Sequence, residues 1–535
     1  MTDLTKTAED APEAKPQREL HLGWALVLIS VAQLMVVLDA SIANIALPFI
    51  GEDLNINDAN LTWIVTGYAL AFGGLLLLGG RLGDLYGRRR IFMVGLATFA
   101  VASLLGGFAS NEPLLLAARG LQGLGAALAS PAALALITTT FPAGPARNRA
   151  FAVYAAMSGA GAAVGLILGG WLTGLDPILG LEGWRWTFLI NVPIGLAAAA
   201  LAPRFLNESE SHPGQLDIPG AITGTLGLLG LVYGFSRAGE EAHGWGDTWT
   251  IASLVAGVAM LVVFAVVESR VSHPLLPVRV FANRTRATSF LVMALVPAAM
   301  FAMFYFLSLF IQLVVGYEPL HTGFAFLPFS VGIVIGAGLS SNLVNRIDPR
   351  YIAGIGTLMA AAALVGFAQL SVPSSFEAVT TALTADGNLG GDVNYWTSIF
   401  PFIVLMSVGM GLTFVPLTLT AVHHLRAEDS GIGSGVLNTM QQVGGAVGLA
   451  ILSTVSLHFA EDTKNALFGA ATTAGAPGDQ AGNIAFIGSF TEGATAAFYV
   501  GAVLIALGSA AIWLFLNVKH TELATDGPEG GVHVG

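Results

Sequence analysis

Residues 22–50 read LGWALVLISVAQLMVVLDASIANIALPFI, and Asp39 is the one charged side chain among them. A helix needs about 20 predominantly apolar residues to cross a hydrocarbon core, so this run predicts a spanning helix with one acid at depth. It is too long for a cleavable signal, lies behind some twenty polar residues, and is followed by more runs of its kind. Working outward, comparable runs fall near 61–80, 91–109, 114–140, 150–172, 186–202, 218–236, 249–268, 288–315, 322–343, 351–371, 397–422, 432–459 and 494–517. With the first they make fourteen. They are continuously apolar and do not alternate with period two, which excludes a β-barrel. The expected fold class is an all-α polytopic membrane protein with 14 transmembrane helices.

Composition agrees. Of 535 residues 54% are hydrophobic and 10% charged, with a mean hydropathy of +0.73, against roughly 25% charged in an average soluble domain. A water-soluble enzyme, a disordered chain and a nucleic-acid binder are excluded, and the net charge of −12 repels nucleic acid. There is no cysteine, hence no disulfide, thiolate metal site or cysteine nucleophile. Glycine occurs 66 times, as suits helices that approach closely in a bilayer. Residues 1–21, 372–396, 460–493 and 518–535 are polar or rich in Gly, Ala and Thr. They are expected to be mobile and to form no domain.

The basic residues orient the spans. With the N-terminus in the cytoplasm, the inner segments hold Lys6, Lys15, Arg18, Arg81, Arg88, Arg89, Arg90, Arg147, Arg149, Arg204, Arg270, Arg279, Arg284, Arg286, Arg346, Arg350, Arg426 and Lys519. The outer ones hold Arg185, Arg237 and Lys464, and Arg119 lies within a span. Such an excess is what the positive-inside rule requires. Both termini are expected in the cytoplasm, with 460–493 outside the cell membrane.

A weak internal repeat divides the chain. GGRLGDLYGRR at 79–89 follows the second span and SSNLVNRIDPR at 340–350 follows the tenth. Leu82 aligns with Leu343, Arg89 with Arg350 and Asp84 with Asn345. The implied order is a tail at 1–21, six spans over 22–205, two extra spans over 216–268, six more over 286–517, and a tail at 518–535. In the loop at 80–90 the glycines permit a tight turn, and Asp84 with its basic neighbours can form a charge-assisted clip at the membrane surface. A solvated basic loop would explain Arg88, Arg89 and Arg90, but not the spacing of Gly and Asp.

That loop resembles the signature between the second and third helices of the major facilitator superfamily, matched at Gly80, Asp84, Gly87, Arg88 and Arg89, with Arg81 beside them. Three further segments are similar to motifs of its 14-span drug:proton antiporters. They are Leu38–Pro48 in the first span, Arg119–Gly125 in the fourth, and Trp184–Pro193 entering the sixth. In the fifth span Gly161, Gly165, Gly169 and Gly170 keep the antiporter motif's spacing and make a flat packing face. Leu166 departs from the motif where a Pro is expected, which removes a kink and puts antiport, not membership, in question.

Two ionisable residues lie at depth, Asp39 and Arg119, and charges there usually mark an ion or proton pathway. Asp39 sits about 26 Å along the helix from Leu22 and about 16 Å from Ile50, on a face with Ala32, Val36, Ala43 and Ala46. The alternative is an Asp bonded to backbone or hydroxyls as a kink or cap. Arg119 and Gln122 share a face with Gly123 and Ala126. The resemblance implies proton coupling for this Arg, and the alternative is an Arg snorkelling to the outer surface. Gln33, Asn44, Gln122, Phe301, Phe304, Tyr305, Gln312, Asn438 and Gln441 are candidates for a substrate cavity, where ring faces and apolar surface would hold amphipathic or cationic compounds. Gln442 is a further polar group within a span. His423 and His424 have no third ligand near, so no metal site is expected. With no phosphate-binding Gly loop, no cofactor is expected either, and the energy source is a proton gradient.

The expectation is a secondary transporter, not an enzyme. It would work as a monomer, exporting hydrophobic or amphipathic, often cationic, compounds against protons by alternating access. Transport of lipids or of a self-made antibiotic by the same fold is the rival. A membrane-embedded enzyme would need paired catalytic groups at depth, and none is apparent.

Overall fold

The computed structural model describes residues 22–141, 145–208, 217–239, 243–272, 274–276, 278–344, 346–372, 393–423, 430–473 and 478–525. The described residues of the first six spans form α1 (Leu22–Leu54), α2 (Asp58–Tyr86), α3 (Arg88–Gly107), α4 (Glu112–Thr140), α5 (Pro145–Thr173), α6 (Gly183–Leu189) and α7 (Asn191–Phe205). Next come α8 (Ile218–Gly239) and α9 (Thr248–Arg270). The last six spans comprise α10 (Arg284–Leu309), α11 (Pro319–Ala325), α12 (Leu327–Leu343), α13 (Pro349–Phe367), α14 (Tyr395–Ser398), α15 (Phe400–Val422), α16 (Ser430–Thr473) and α17 (Gly478–Phe515). A short α18 (His520–Thr525) follows.

Among the described residues thirteen helices are long and apolar enough to cross a membrane, counting α6–α7 and each broken helix of the second half as one. The remaining expected span falls on α5, which is 29 residues long; only its Val164–Thr173 stretch counts as a described apolar helix. Helix starts follow local chemistry. The side chain of Asn57 accepts from the Asn60 amide at 2.8 Å, and that of Asn111 from the Leu114 amide at 3.0 Å. Each meets an amide that the first turn leaves unpaired.

The two six-span groups pack alike. In the first, α4 lies against α2 and α3, α5 against α1, and α7 against α1 and α3. In the second, α15 lies against α12 and α13, α16 against α10, and α17 against α10 and α13. These are the same pairs by position in the group. The groups meet where α2 touches α16 and where α5 touches α11 and α12, so second and fifth spans are exchanged across a pseudo-twofold seam. α8 packs on α9 and also on α2 and α16, one helix from each group. The outer faces of α9, such as Val255 and Val262, are exposed in the protein alone, as a lipid-facing surface would be.

Glycine sets the close approaches. A Cβ on Gly79 would strike the backbone of Ala127 in α4, and one on Gly170 the backbone of Pro319 in α11. The stripe on α5 seats α1 as expected. A Cβ on Gly165 would come 2.9 Å from that of Ser41, one on Gly169 3.1 Å from the Ile42 Cα, and one on Gly161 3.2 Å from Val37. α5 runs on as helix through Leu166, whose carbonyl occupies the space a side chain at Gly323 would need.

One expectation is corrected. Residues 460–493 were expected to be mobile, but α16 continues to Thr473 and α17 begins at Gly478. At 1.5 Å per residue, the 44 residues of α16 extend about 66 Å, well beyond a hydrocarbon core of about 30 Å. Polarity marks the end of the membrane, not the end of a helix. Ala, Glu, Lys and Leu over 460–473 all favour helix, and Leu467, Ala471, Ala481, Ile484 and Ile487 bury a small seam between the two arms. Of the other polar segments, 1–21, 373–392 and 526–535 lie outside the described residues, and Val518 to Thr525 include α18. Asn345, the repeat partner of Asp84, and His424 and Arg426 also lie outside them.

Candidate coupling site and substrate cavity

Asp39 and Arg119 meet. Arg119 Nη1 donates to Asp39 Oδ2 at 2.6 Å, and the two residues are 1% and 3% exposed for Arg and Asp respectively. The reason lies in the packing of α4 near α1, which sets an Arg and an Asp 80 residues apart at one depth. Arg119 Nε donates to the Ile64 carbonyl at 2.7 Å and Nη1 also to Gln122 Oε1 at 2.9 Å. The Tyr68 ring lies 4.4 Å from the guanidinium carbon and the Phe188 ring 5.8 Å. Snorkelling is therefore overturned for Arg119, and a locally bonded Asp for Asp39.

Asp39 accepts three side-chain bonds in all. Gln122 Nε2 and Asn191 Nδ2 both donate to Oδ1 at 2.9 Å, and Gln122 Nε2 also reaches Ser103 Oγ at 2.8 Å. Asn191 is a residue that sequence reasoning missed, although it stands in the segment singled out before the sixth span. The break at Ile190 between α6 and α7 puts it at a helix start, where its side chain turns inward to α1. A polar residue in the apolar run Phe188–Leu196 was the available signal. Buried charges survive only when paired and hydrogen-bonded, and this pair is both.

Beside the cluster lies a cavity of about 480 Å³ between the two groups of spans. Its wall includes Gln33, Asn44, Phe301, Phe304, Asn438 and Gln441, six of the nine residues expected there, and also Tyr68, Phe329, Phe414 and Gln442. Arg119 reaches the wall while Asp39 stands behind it; no Asp or Glu is among the described lining residues. Asn44 Oδ1 is buried without a hydrogen-bond partner, leaving an acceptor for an incoming donor.

Three expected cavity residues lie elsewhere. Gln122 is fully buried in the charge cluster. Tyr305 lines a second cavity of about 570 Å³, towards the α16–α17 hairpin, with Glu52, Glu461, Lys464 and Phe490. Gln312 sits in a π-helical turn, Phe310–Val314, and its Nε2 bonds back to the Ser308 carbonyl at 3.3 Å. Neighbours on one helix can be read from spacing, but the wider π turn rotates the residues after it off the predicted face.

In the loop at 80–90 Asp84 and the basic residues are joined by charge pairs. Gly87, at φ +101°, is the single residue between α2 and α3, a conformation that favours glycine. Arg88 Nη2 meets Asp84 Oδ1 at 3.1 Å. Glu208, absent from the sequence-based site, accepts from the Arg89 amide at 3.0 Å and pairs with the Arg89 side chain at 3.5 Å. A carboxylate there also suits the positive end of α3. A Cβ on Gly80 would only just touch Pro131 of α4, at 3.8 Å, and Arg81 is half-buried. Among the described residues no group of three His, Cys, Asp or Glu could hold a metal ion.

Comparison with known proteins agrees with this architecture. A profile described as Major Facilitator Superfamily matches residues 29–449. The chain is 44% identical over 438 residues to a puromycin resistance protein of Streptomyces alboniger, covering 81% of each chain. It is 38% identical over 437 residues to a cephamycin export protein of Amycolatopsis lactamdurans, covering 81% of this chain and 84% of that one. Among solved structures it resembles a bacterial homologue of the human lysosomal transporter Spinster, crystallised in an inward-facing and unoccupied conformation. The TM-score is 0.65 at 17% identity, covering 96% of this chain and 100% of that one. With its helices paired alike in two six-span groups and its sequence matched over most of its length, the chain is a multi-pass membrane protein that belongs to the major facilitator superfamily.

Proposed function

We propose that this protein exports hydrophobic and amphipathic compounds, often cationic, in exchange for protons, with Asp39 and Arg119 as the coupling pair. The observation that carries the proposal is a buried, hydrogen-bonded ion pair whose Arg faces a cavity lined by aromatic and neutral polar side chains while its Asp does not. A proton on Asp39 removes the charge that holds Arg119, so the guanidinium is released toward the cavity. Loss of the proton rebuilds the pair. Substrate and proton are linked because both act on the position of one side chain. A cation reaches Asp39 only after Arg119 has moved, whereas a neutral amphipath enters without that step. The clip at Asp84, Arg88, Arg89 and Glu208 would hold one conformation and release in another.

Two relatives named for puromycin resistance and cephamycin export support antibiotics as a substrate class, so export of a self-made antibiotic is a second reading on the same site. The cell membrane, both termini in the cytoplasm, a monomeric state and a proton gradient as energy source belong to the proposal. The test is substrate-dependent proton release from proteoliposomes holding the purified protein. Wild type should move protons when dye or antibiotic is added and Asp39→Asn should not. Equal proton release by both would refute coupling at this pair.

A further inference from the structure

The transport reading leaves a second pair of buried acids unused. Asp217, just before α8, and Glu268, in the last turn of α9, are 2% and 5% exposed. Each has one satisfied oxygen. Asp217 Oδ1 accepts from the Gly220 amide at 2.8 Å and caps α8. Glu268 Oε2 accepts from the Leu276 amide at 2.8 Å and so ties α9 to the chain that leads to α10. The other two, Asp217 Oδ2 and Glu268 Oε1, are buried with no hydrogen-bond partner. They face one point. A Cβ added to Gly220 would stand 2.8 Å from Glu268 Oε1 and against Asp217 Oδ2, so glycine at 220 leaves the two oxygens free to be neighbours.

No cation among the described residues offsets them. Among the described residues neither acid has a salt-bridge partner. The charged residues of the elements packed here can be named. α8 has Arg237 at its far end, and α9 has Arg270, exposed, past Glu268. α2 has Asp58 at its far end, with Arg81 and Asp84 at the near one, and Asp84 is held by Arg88. α16 has Glu461 and Lys464, which line the separate cavity beside Tyr305. Before α10 stand Arg279, exposed, then Arg284 and Arg286; Arg284 donates to the Leu514 carbonyl and Arg286 to the Val280 and His423 carbonyls.

Two adjoining carboxylates shut away from water, with no cation paired to either among the described residues, cannot both be ionised. One proton solves both problems at once, because the hydroxyl of one acid donates to the orphaned oxygen of the other. We infer that Asp217 and Glu268 form a proton-binding site that holds one shared proton between Asp217 Oδ2 and Glu268 Oε1. The protonated pair fastens the start of α8, the end of α9 and the Leu276 amide together. Loss of the proton sets two anions against each other, turns Glu268 outward and frees the Leu276 amide. Because α8 lies on α2 and α16, one helix from each half, the fastening bears on the seam between them. This inference does not depend on the coupling pair.

The experiment uses the full chain in nanodiscs, with wild type, Glu268→Gln, Asp217→Asn and Asp39→Asn measured by infrared titration. Wild type and Asp39→Asn should show a protonated-carboxyl band at pH values where exposed carboxylates are ionised. Glu268→Gln and Asp217→Asn should both lack it. Hydrogen exchange at the Leu276 amide, corrected for intrinsic base catalysis, should rise at least about tenfold in wild type as the band is lost. In Glu268→Gln, which cannot ionise, it should stay flat. A band retained in both variants overturns the inference. So does displacement of the wild-type band by sodium, magnesium or calcium at fixed pH, which would make the pair a metal-cation site. If one variant does not fold, the other carries the same test.

Discussion

The two six-span halves pair their helices identically, yet their interiors are built from different chemistry. In the first half, α1 and α4 carry Asp39, Arg119 and Gln122, and α2, α3 and α7 complete their hydrogen bonds. In the second, α10 beyond Arg286 and all of α15 carry no charged residue. There Phe304 lies 5.3 Å from Phe326 and 4.7 Å from Phe329, and Phe367 lies 5.7 Å from Phe498, centroid to centroid. A charge network has two states, since one proton changes its partners. An aromatic wall has one, since its contacts are additive and its neutral rings do not titrate. On the proposed reading, the switch belongs to the first half and a passive binding wall to the second.

The largest effect should come from breaking the network on its basic side. Arg119→Leu leaves Asp39 buried without a counter-charge, at a cost of about 3–5 kcal/mol. Thermal unfolding in detergent should shift down clearly, and transport should vanish; an unchanged Tm would mean that Asp39 is already neutral in this state. Asp39→Asn is nearly isosteric, so it should insert and fold. It should lose uphill, pH-gradient-driven dye transport in vesicles, with cationic dyes hit hardest, while Asp39→Glu keeps part of the activity. Wild-type pumping by Asp39→Asn would move the switch out of the first half.

The passive half should respond in affinity. Phe304→Ala removes ring surface on the cavity, so KM for apolar substrates should rise several-fold, with the pH dependence of transport unchanged. A shifted pH profile would mean that the second half takes part in coupling. Asp84→Asn is smaller again. The pair with Arg88 is half exposed, and such pairs contribute about 0–1 kcal/mol. Turnover should fall while resting-state substrate affinity stays near wild type, and unchanged turnover would reduce the clip to a solvated loop.

The smallest effect belongs to the second half's matching loop, where Asp348 accepts from the His520 amide and faces the His520 ring at 2.8 Å. The amide first, then the ring, holds its carboxyl below the usual carboxylate range. A depressed folded value means that the contribution is present above the unfolded carboxylate's range and is lost as pH falls through the folded one. At neutral pH Asp348→Asn should lower Tm by no more than about 2 °C, and the difference from wild type should disappear in acid. A large effect at neutral pH would make this tether as important as the clip.

The span pattern, the embedded charges and the turn at Gly87 were legible in the sequence because each is a local property. Hydropathy over about 20 residues marks a helix that must bury its backbone polar groups, and an isolated Asp or Arg within such a run stands out at once. The Gly stripe on α5 was legible for the same reason, since its period is that of one helix. The extension of α16 and α17 was not, because polarity at 460–493 signalled water and says nothing of the helix two neighbouring arms support. Nor was the partner of each charge. Asp39 chose Arg119, Gln122 and Asn191 from three helices. Glu208 closed the clip from the end of α7. Gln312 left the cavity through a π turn, and Asp217 met Glu268 across a hairpin. A sequence fixes which groups must find partners in a medium without water, but which ones they find depends on how helices far apart in the chain are packed.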